Sequence, residues 1–437
     1  MKAEPIARFA EVESLDQEGR GIAHVEGKAI FITGALPGEW VEYAPYRRKP
    51  NYELADTTRI LRASPSRVKP RCVHFGVCGG CSLQHMDLRA QVAAKQRILE
   101  DNLARIGKIR PQTMLSPILG PDWQYRERAR LSARYVEKKS KLLLGFHERR
   151  SSFVADMGSC EVLPARISRL LEPLRQLIDS LSIRERIPQV ELAIGDAVDV
   201  LVLRILEYPQ SGDAQKLINF AQQYEIQFYL QPGGPDTAFA FHPKEAPVLQ
   251  YRIPDFDLTF PFHPTDFTQV NQAINQVLVR RAITLLDPLP GERIGDFFCG
   301  LGNFSLAIAR RGAQVLGIDG NARLASRARE TASLNGLGAR CRFADRDLFK
   351  ITGEEWKQIA PFDRILVDPP RDGAMELVKV LGEMAPARIV YVSCNPATLA
   401  RDAGVLVNMH AYQLSAAGVI NMFPHTSHVE SIAVFDR

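Results

Sequence analysis

Two residues near the end of the chain, one cysteine and one glutamate, could carry out covalent chemistry on a pyrimidine. Cys394 ends the apolar segment RIVYVSC, which predicts a strand followed by a polar turn, and Glu430 lies in HTSHVES. Carbon 5 of uracil is a poor nucleophile, but it becomes electron-rich when a thiolate adds to carbon 6, and a base must later remove the carbon 5 proton. We therefore predict that Cys394 is the nucleophile and Glu430 the base of a methyl transfer to uracil. Taken alone, either residue could be structural, as a buried strand cysteine or a surface acid.

A glycine-rich segment upstream predicts the pocket for an adenosine-type ligand. In RIGDFFCGLGNFSLAIARRGAQVLGIDGN, one strand ends near Asp296, and Gly300 and Gly302 permit a tight turn. The next strand ends at Asp319, whose carboxylate can accept hydrogen bonds from ribose hydroxyls. A dinucleotide site would need a third glycine where this chain has Ser305, whereas S-adenosylmethionine needs no phosphate cradle. The segment therefore favours S-adenosylmethionine over NAD.

The segment FDRILVDPPRDG predicts a further strand that ends at Asp368, and it narrows the choice of base. Enzymes that methylate exocyclic amines often have an aromatic residue after Pro-Pro, where this chain has Arg371. Cytosine C5 enzymes commonly place Pro-Cys in the equivalent motif, and DPPRDG has no cysteine. Uracil is therefore the predicted target base. The alternatives are a cytosine-5 or a tRNA uracil-5 methyltransferase and, from another class, a non-catalytic RNA-binding assembly factor.

Two acids in FADRDLF follow the predicted third strand, where contacts with an adenine are expected. They are Asp345 and Asp347, and Asp345 could equally be the N-cap of a helix.

Four of the seven cysteines suggest a metal site. Cys72, Cys78 and Cys81 lie within CVHFGVCGGC, and Cys160 in GSCEVL is a distant fourth. Four thiolates suit either a [4Fe–4S] cluster or a structural zinc ion. Zinc sites more often consist of two CxxC pairs, so the spacing favours iron–sulfur and leaves zinc as the alternative. The odd cysteine count and the lack of a secretory signal argue against a disulfide framework.

The elements that must position these residues fall into three regions, and the expected fold class is α/β. Residues 1–62 are rich in β-formers and glycine turns, which predicts a small OB-like β-barrel. Residues 63–258 predict a central α+β domain that carries the cysteines, and Leu88–Ile106 has the spacing of an amphipathic helix. Residues 259–437 alternate strands and helices, which predicts a Rossmann-like methyltransferase domain.

Charge and hydropathy indicate a polyanionic partner and no membrane span. The formal net charge is +5 and the isoelectric point is about 8.8. No apolar run approaches the roughly 20 residues of a membrane helix, so we expect a cytoplasmic protein, and we expect a monomer. In YRERARLSAR, four arginines alternate along a predicted strand, and basic clusters occur at 47–49 and 149–150. Together they predict a surface that binds the phosphates of RNA. The four alternating residues are Arg126, Arg128, Arg130 and Arg134.

The motifs together resemble those of the RNA uracil-5-methyltransferases. More narrowly, they resemble the bacterial 23S ribosomal RNA enzymes that have an N-terminal TRAM domain and an iron–sulfur cluster. The resemblance covers nearly the whole chain, and its most specific pieces are CVHFGVCGGCSLQHM, FTQVN, DFFCGLGNF, DPPRDG, SCNPATLARD and HTSHVE.

The resemblance implies 23S ribosomal RNA as the substrate, a TRAM domain in residues 1–62, and packing of residues about 89–121 with the catalytic domain. Cys394 matches the nucleophile, and Glu430 matches the acid of the closing motif. The positions that match contacts with S-adenosylmethionine are Gln269, Phe298, Asn303, Asp319, Asp347 and Asp368. The positions that match the ligands of a [4Fe–4S] cluster are Cys72, Cys78, Cys81 and Cys160.

Two positions depart from the family pattern. Asp319 stands where the family more often has glutamate, which shortens the reach to the ribose but keeps the acceptor. The first motif is GDFFCG where DLFCG is usual, and this places Phe297 at a strand position that only packs.

Overall fold

The computed structural model describes residues 8–437, except for the side chain of Glu383, and these residues form four β-sheets. The first seven residues of the predicted barrel region, 1–62, lie outside the described part. None of the helices in the described part is long and apolar enough to cross a lipid bilayer.

The first sheet has six strands in the order β1-β5-β6-β4-β3-β2. The strands are β1 (Arg8–Glu11), β2 (Ser14–Leu15), β3 (Gly21–Val25), β4 (Lys28–Thr33), β5 (Trp40–Arg48) and β6 (Tyr52–Arg62). Three register shifts between β5 and β6 bend these long strands, so the sheet curls around a small apolar core. Glu39 closes one end, because its buried carboxylate accepts hydrogen bonds from the backbone N–H groups of Leu36 and Ser64 and pairs with Arg67.

A helical segment then leads towards the catalytic part of the chain. It consists of α1 (Leu88–Asn102), a π-helical turn (Leu103–Gly107) and the short strand β7 (Thr113–Met114). The Asp87 side chain caps α1 by accepting hydrogen bonds from the N–H groups of Arg89 and Ala90. The predicted helix over Leu88–Ile106 therefore exists, but it is α-helical only as far as Asn102.

The second sheet has the order β13-β12-β11-β10-β8-β9 and carries three of the four alternating arginines, because β8 begins at Arg128 and Arg126 precedes it. On β8, Ala129, Leu131 and Ala133 are buried and Arg130 and Arg134 are exposed, as the alternation predicts, but the side chain of Arg128 is only 16% exposed. The elements are β8 (Arg128–Val136), β9 (Lys141–Gly145), α2 (Ala165–Ser168), α3 (Leu171–Asp179), β10 (Gln189–Ile194), β11 (Asp199–Arg204), α4 (Ser211–Tyr224), β12 (Ile226–Gln231) and β13 (Phe239–His242).

A hairpin, β14 (Gln250–Ile253) and β15 (Leu258–Pro261), precedes the catalytic sheet. The elements that follow are α5 (Gln272–Leu286), β16 (Arg293–Phe297), α6 (Ser305–Arg310), β17 (Gln314–Asp319), α7 (Ala322–Leu334), β18 (Cys341–Asp345), α8 (Gly353–Ile359), β19 (Arg364–Val367), α9 (Met375–Val380), β20 (Arg388–Ser393), α10 (Pro396–His410), β21 (Gln413–Ile420) and β22 (Glu430–Asp436). Single 3-10 turns occur at Glu137–Lys139, Arg184–Arg186, Pro235–Thr237, Pro254–Phe256 and Gly382–Met384.

The catalytic sheet has the order β18-β17-β16-β19-β20-β22-β21-β7, which confirms the predicted α/β class. Strands β16 to β20 are parallel, and β22 is antiparallel to both of its neighbours. The strand order reverses between β16 and β19. In open α/β sheets, a crevice for ligands opens beyond the carboxyl ends of the strands at such a point.

The segment from α1 to β7 packs on this sheet although it is distant in sequence. β7 pairs with β21, and the backbone N–H groups of Leu115 and Ile118 donate to the carbonyl groups of Ala417 and Val419. The π-helical turn lies against α10 at Gly107, where an added Cβ would be only 2.6 Å from the Ala400 carbonyl oxygen.

We predict that Gly107→Ala destabilises the protein by about 1–3 kcal/mol, because the added methyl group would separate the turn from α10. Thermal unfolding of the full chain measures the effect as a lower Tm. Gly212→Ala is the matched control, because an added Cβ at this helical position meets nothing within 4 Å. The control should be neutral or slightly stabilising, and equal Tm values for the two variants would contradict the proposed close contact.

Candidate active site

The structure brings Cys394 and Glu430 together at the carboxyl edge of the catalytic sheet. Ser393 on β20 pairs with Ser431 on β22, so the next position of the antiparallel ladder sets Cys394 opposite Glu430. The Ser431 hydroxyl donates to the Ser393 carbonyl oxygen at 3.2 Å. Glu430 is only 4% exposed and is therefore no surface acid, whereas Cys394 is half-buried.

Burial and mutual repulsion dominate the electrostatics of this pair. Burial raises the pKa of Cys394 to about 12, and the nearby carboxyl groups of Glu430 and Asp368 act in the same direction. Burial also raises the pKa of Glu430 well above its usual value, and burial raises the pKa of Asp368 to about 7. The guanidinium of Arg371 opposes the rise in the pKa values of both Cys394 and Glu430. The ionisations of these groups are therefore coupled, since ionisation of one disfavours ionisation of the others.

Arg371 is held by the turn that follows Cys394. Its carbonyl oxygen accepts hydrogen bonds from Asn395 Nδ2 at 3.0 Å and from Thr398 Oγ1 at 3.1 Å. The Asn395 side chain also caps α10 through the Ala397 N–H. The DPPRDG and SCNP segments thus form one rigid unit.

Sequence reasoning missed His428 and used Arg371 only to choose between bases. Arg371 Nη2 lies 3.1 Å from His428 Nδ1. Burial and the cations nearby lower the pKa of His428 to about 4, so its ring is neutral at pH 7. The available signals were the basic residue within DPPR and the histidine two positions before Glu430.

The predicted cofactor loop follows β16 and has a left-handed backbone. Gly300 and Gly302 have φ values of +54° and +86°, and Phe298 adopts φ +63°, which is uncommon for a residue other than glycine. Asp319 ties the loop to β17, because its carboxylate accepts hydrogen bonds from the N–H groups of Gly300 at 3.0 Å and Asn321 at 2.8 Å. The carboxylate oxygens of Asp319 can still accept further hydrogen bonds from a ligand.

Asn303 lies at the end of the loop within a network of polar side chains. Asn303 Oδ1 accepts hydrogen bonds from the Tyr251 hydroxyl and from Asn275 Nδ2, and its amide donates back to Asn275. Gln269 is half-buried in the segment before α5, and its carbonyl oxygen accepts from Gln272 Nε2 at 3.1 Å. The network joins the cofactor loop to β14 and α5.

The two acids after the third strand differ in position. Asp345 is exposed and pairs in register with Asp319, so it lies at the end of the neighbouring strand. Asp347 is also exposed, and its side chain contacts the Phe349 N–H and Lys350 Nζ. Asp347 therefore lies beyond the end of β18, with its carboxylate turned to the residues that follow it.

Asp296 is a buried acid to which the sequence argument gave no role. Its side chain is fully buried beneath the loop, and the Ser305 hydroxyl donates to Oδ2, while Oδ1 has no partner within residues 8–437. Burial raises the pKa of Asp296 to about 7. An acid at the end of a strand before a glycine-rich loop was the available signal.

The four cysteines of the predicted metal site line one small cavity. Burial raises the pKa of Cys81 to about 11 and that of Cys160 to about 12, and the Gly80 N–H points at Cys78 Sγ from 3.3 Å. No group of three or more histidine, cysteine or acidic residues in the described chain is arranged to hold a single metal ion. The assignment of these cysteines as ligands therefore stays a prediction.

A wide basic cleft opens between the first sheet, the cysteine segment and the catalytic edge, and His428 lines it. Arginines pair with aromatic rings along this cleft: Arg150 lies 4.2 Å from the ring centre of Tyr46, and Arg126 lies 5.3 Å from that of Phe146. Such a surface suits an RNA strand, which offers both phosphates and stacked bases.

Comparison with known proteins identifies the family. The family model described as tRNA (uracil-5-)-methyltransferase matches residues 87–437, and the TRAM domain model matches residues 10–42, which confirms the predicted TRAM domain. A 23S rRNA (uracil(1939)-C(5))-methyltransferase of Nitrosospira multiformis is 60% identical over 98% of both chains. The protein of the same name from Dechloromonas aromatica is 57% identical over 98% of this chain and 99% of its own.

A solved structure is similar over almost the whole chain. It is the crystal structure of Pyrococcus abyssi tRNA (uracil-54, C5)-methyltransferase in complex with S-adenosyl-L-homocysteine. The two chains are 26% identical with a TM-score of 0.73, and the match covers 98% of this chain and 99% of the other. Since the family model spans most of the sequence and the relatives align nearly end to end, the chain belongs to the uracil-5-methyltransferase family.

Proposed function

We propose that this protein transfers a methyl group from S-adenosylmethionine to carbon 5 of a uridine in 23S ribosomal RNA. The observation that carries the proposal is the pairing of Cys394 with the buried Glu430 beside the glycine-rich loop. Relatives at 57–60% identity are named for 23S ribosomal RNA, whereas the tRNA enzyme with a similar structure is only 26% identical. Ribosomal RNA is therefore favoured over tRNA. We further propose that the protein acts in the cytoplasm as a monomer.

The first step is addition of the Cys394 thiolate to carbon 6 of the uracil. The thiol proton moves to the Asp368 carboxylate, so that Glu430 stays free to accept the carbon 5 proton, and neutralising Asp368 removes repulsion from the thiolate. The N-terminus of α10 and the guanidinium of Arg371 also favour the anion. As the S–C6 bond forms, negative charge moves to the oxygen on carbon 4, and Arg371 is the cation available to stabilise it.

The second step joins the methyl group to carbon 5, and the third releases the product. S-adenosylmethionine supplies the methyl group as an electrophile and leaves as S-adenosylhomocysteine. Glu430 then takes the proton from carbon 5, the C5–C6 double bond forms again, and the S–C6 bond breaks to regenerate the thiolate. Burial that raises the pKa of Glu430 makes it a stronger base than an exposed carboxylate.

Cofactor binding is assigned to the crevice around the glycine-rich loop. Asp319 is proposed to accept hydrogen bonds from the ribose hydroxyls, and Phe298 to contact the adenine. Asn303 would orient the cofactor through its fixed amide group, which the Tyr251 hydroxyl and Asn275 hold in place. The full proposed set is Gln269, Phe298, Asn303, Asp319, Asp347 and Asp368.

We also propose that Cys72, Cys78, Cys81 and Cys160 hold a [4Fe–4S] cluster. All four thiols line one enclosed cavity, but no three of them converge as the ligands of a single ion would. Four thiols suit a [4Fe–4S] cluster, and the lone Cys72 and Cys160 depart from the two CxxC pairs that are more common for zinc. The cluster would stabilise this segment of the chain, since the reaction transfers no net electrons.

The decisive experiment is methyl transfer from labelled S-adenosylmethionine to a 23S ribosomal RNA transcript, with 5-fluorouridine RNA as a trap. Fluorine cannot leave carbon 5 as a proton does, so the adduct with the protein should persist in a denaturing gel. We expect Cys394→Ala to abolish both signals and Cys341→Ala, a buried thiol on β18, to keep them. An adduct without Cys394 would refute the nucleophile. Label in tRNA alone would favour a tRNA enzyme, and no label in any RNA would favour a non-catalytic RNA-binding protein.

Glu430→Gln tests the base. Loss of general-base catalysis should slow turnover by about 10²-fold or more, while addition of Cys394 and methyl transfer still proceed. The adduct with ordinary uridine RNA should therefore accumulate in this variant and not in the wild-type protein. Slow turnover without any adduct would assign Glu430 to an earlier step.

Cys81→Ser tests the metal site. The protein purified without oxygen should be brown and contain about four iron atoms per chain, and the variant should lose both properties. Cys341→Ala should keep them. A colourless wild-type protein that contains zinc would overturn the iron–sulfur assignment.

A further inference from the structure

The loop that leads into Glu430 is bonded to helix α1. This loop, residues 421–428, follows β21 and is separated from β22 by Val429. Lys95 on α1 donates through Nζ to Asn421 Oδ1 at 2.8 Å and to the Phe423 carbonyl oxygen at 2.9 Å. One helical turn earlier, Gln91 Oε1 accepts a hydrogen bond from the His425 N–H at 2.9 Å. Two side chains on one face of α1 thus hold three points of the loop.

The opposite side of the loop is bonded to the cysteine segment. The N–H groups of Ser82 and Leu83, directly after Cys81, both donate to the His425 carbonyl oxygen at 2.9 Å. The Ser427 N–H donates to Ser82 Oγ at 2.9 Å. The loop therefore lies between two parts of the chain that are more than three hundred residues away in sequence. Its C-terminal end continues through Val429 to Glu430.

Lys95 is a buried amine whose two hydrogen bonds both go to the loop. It is 1% exposed, and no carboxylate within residues 8–437 forms an ion pair with it. Burial lowers the pKa of Lys95 to about 7, so the site disfavours the charged amine. A buried amine without a counter-ion is costly compared with an apolar side chain of similar size. What the amine provides is a fixed direction for two hydrogen bonds.

We propose that Lys95, assisted by Gln91, is a positioning residue for Glu430. By holding the loop at Asn421, Phe423 and His425, the two side chains keep Glu430 opposite Cys394 for removal of the carbon 5 proton. The inference rests on the proposed function, because it assumes that Glu430 is the base. Cys394 is positioned separately by β20 and by the capped start of α10, so a looser loop should impair proton removal more than addition of the thiolate.

Lys95→Met is the test variant, because it keeps the apolar stem and removes the donor. With a 23S ribosomal RNA transcript, we expect kcat to fall on the order of 10- to 100-fold, as for a catalytic group displaced by about 1 Å. The affinity for S-adenosylmethionine and the rate of adduct formation with 5-fluorouridine RNA should stay close to wild type. The adduct with ordinary uridine RNA should accumulate, as in Glu430→Gln. Arg97→Met, an exposed position on the same helix, is the matched control and should behave as wild type.

Two further variants keep the inference testable if Lys95→Met folds poorly. Lys95→Gln retains a donor and should recover part of the activity. Asn421→Ala removes one acceptor and should give a smaller loss, which is not additive with that of Lys95→Met. Wild-type turnover in these variants, or equal slowing of adduct formation and turnover, would overturn the positioning role. Failure of Glu430→Gln to accumulate adduct would instead overturn the proposed base and leave the role of Lys95 to be judged by kcat alone.

Discussion

The antiparallel register between β20 and β22 determines where the thiol and the acid meet. A slip of one residue would turn Glu430 to the other face of the sheet. The register is held at both ends of the ladder: the Ser431 hydroxyl bonds to the Ser393 carbonyl group near the site, and Arg388 pairs with Asp436 at 2.6 Å at the far end. Since β22 is buried between β20 and β21, neither neighbour can shift without disturbing the core.

This register places groups close together although each disfavours a negative charge on the others. Two carboxyl groups and a thiol lie in a space where burial disfavours charge on all three. Each proton that moves within the group changes the charge that its neighbours can hold, so proton transfer couples directly to thiolate formation. Arg371 limits the repulsion, and the rigid turn between DPPRDG and SCNP keeps this cation at the site. The DPPRDG and SCNP segments thus supply the thiol, one of the two carboxyl groups and the counter-charge, while β22 supplies Glu430.

Local patterns in the sequence predicted the α/β class, the glycine-rich turn and the strand that carries Cys394, because apolar periodicity and glycine spacing act over a few residues. They could not predict contacts that join distant segments. The α-helix predicted over Leu88–Ile106 ends at Asn102 and continues as a π-helical turn that lies against α10 at Gly107. The pairing of Arg371 with His428 and the bonds from Lys95 to the 421–428 loop depend on tertiary packing, which no short motif encodes.

Because distant segments of the chain pack together, the surface proposed to bind RNA and the proposed reactive groups are held in a fixed arrangement. Under the proposed function, a uridine within folded RNA must leave its stack to reach Cys394, so the RNA has to be held at a fixed distance from the sheet. The basic cleft that suits the RNA backbone includes Cys81 and Ser82, and Ser82 also bonds to the loop before Glu430. One short stretch of chain therefore lines the basic cleft and also supports the loop before the proposed base.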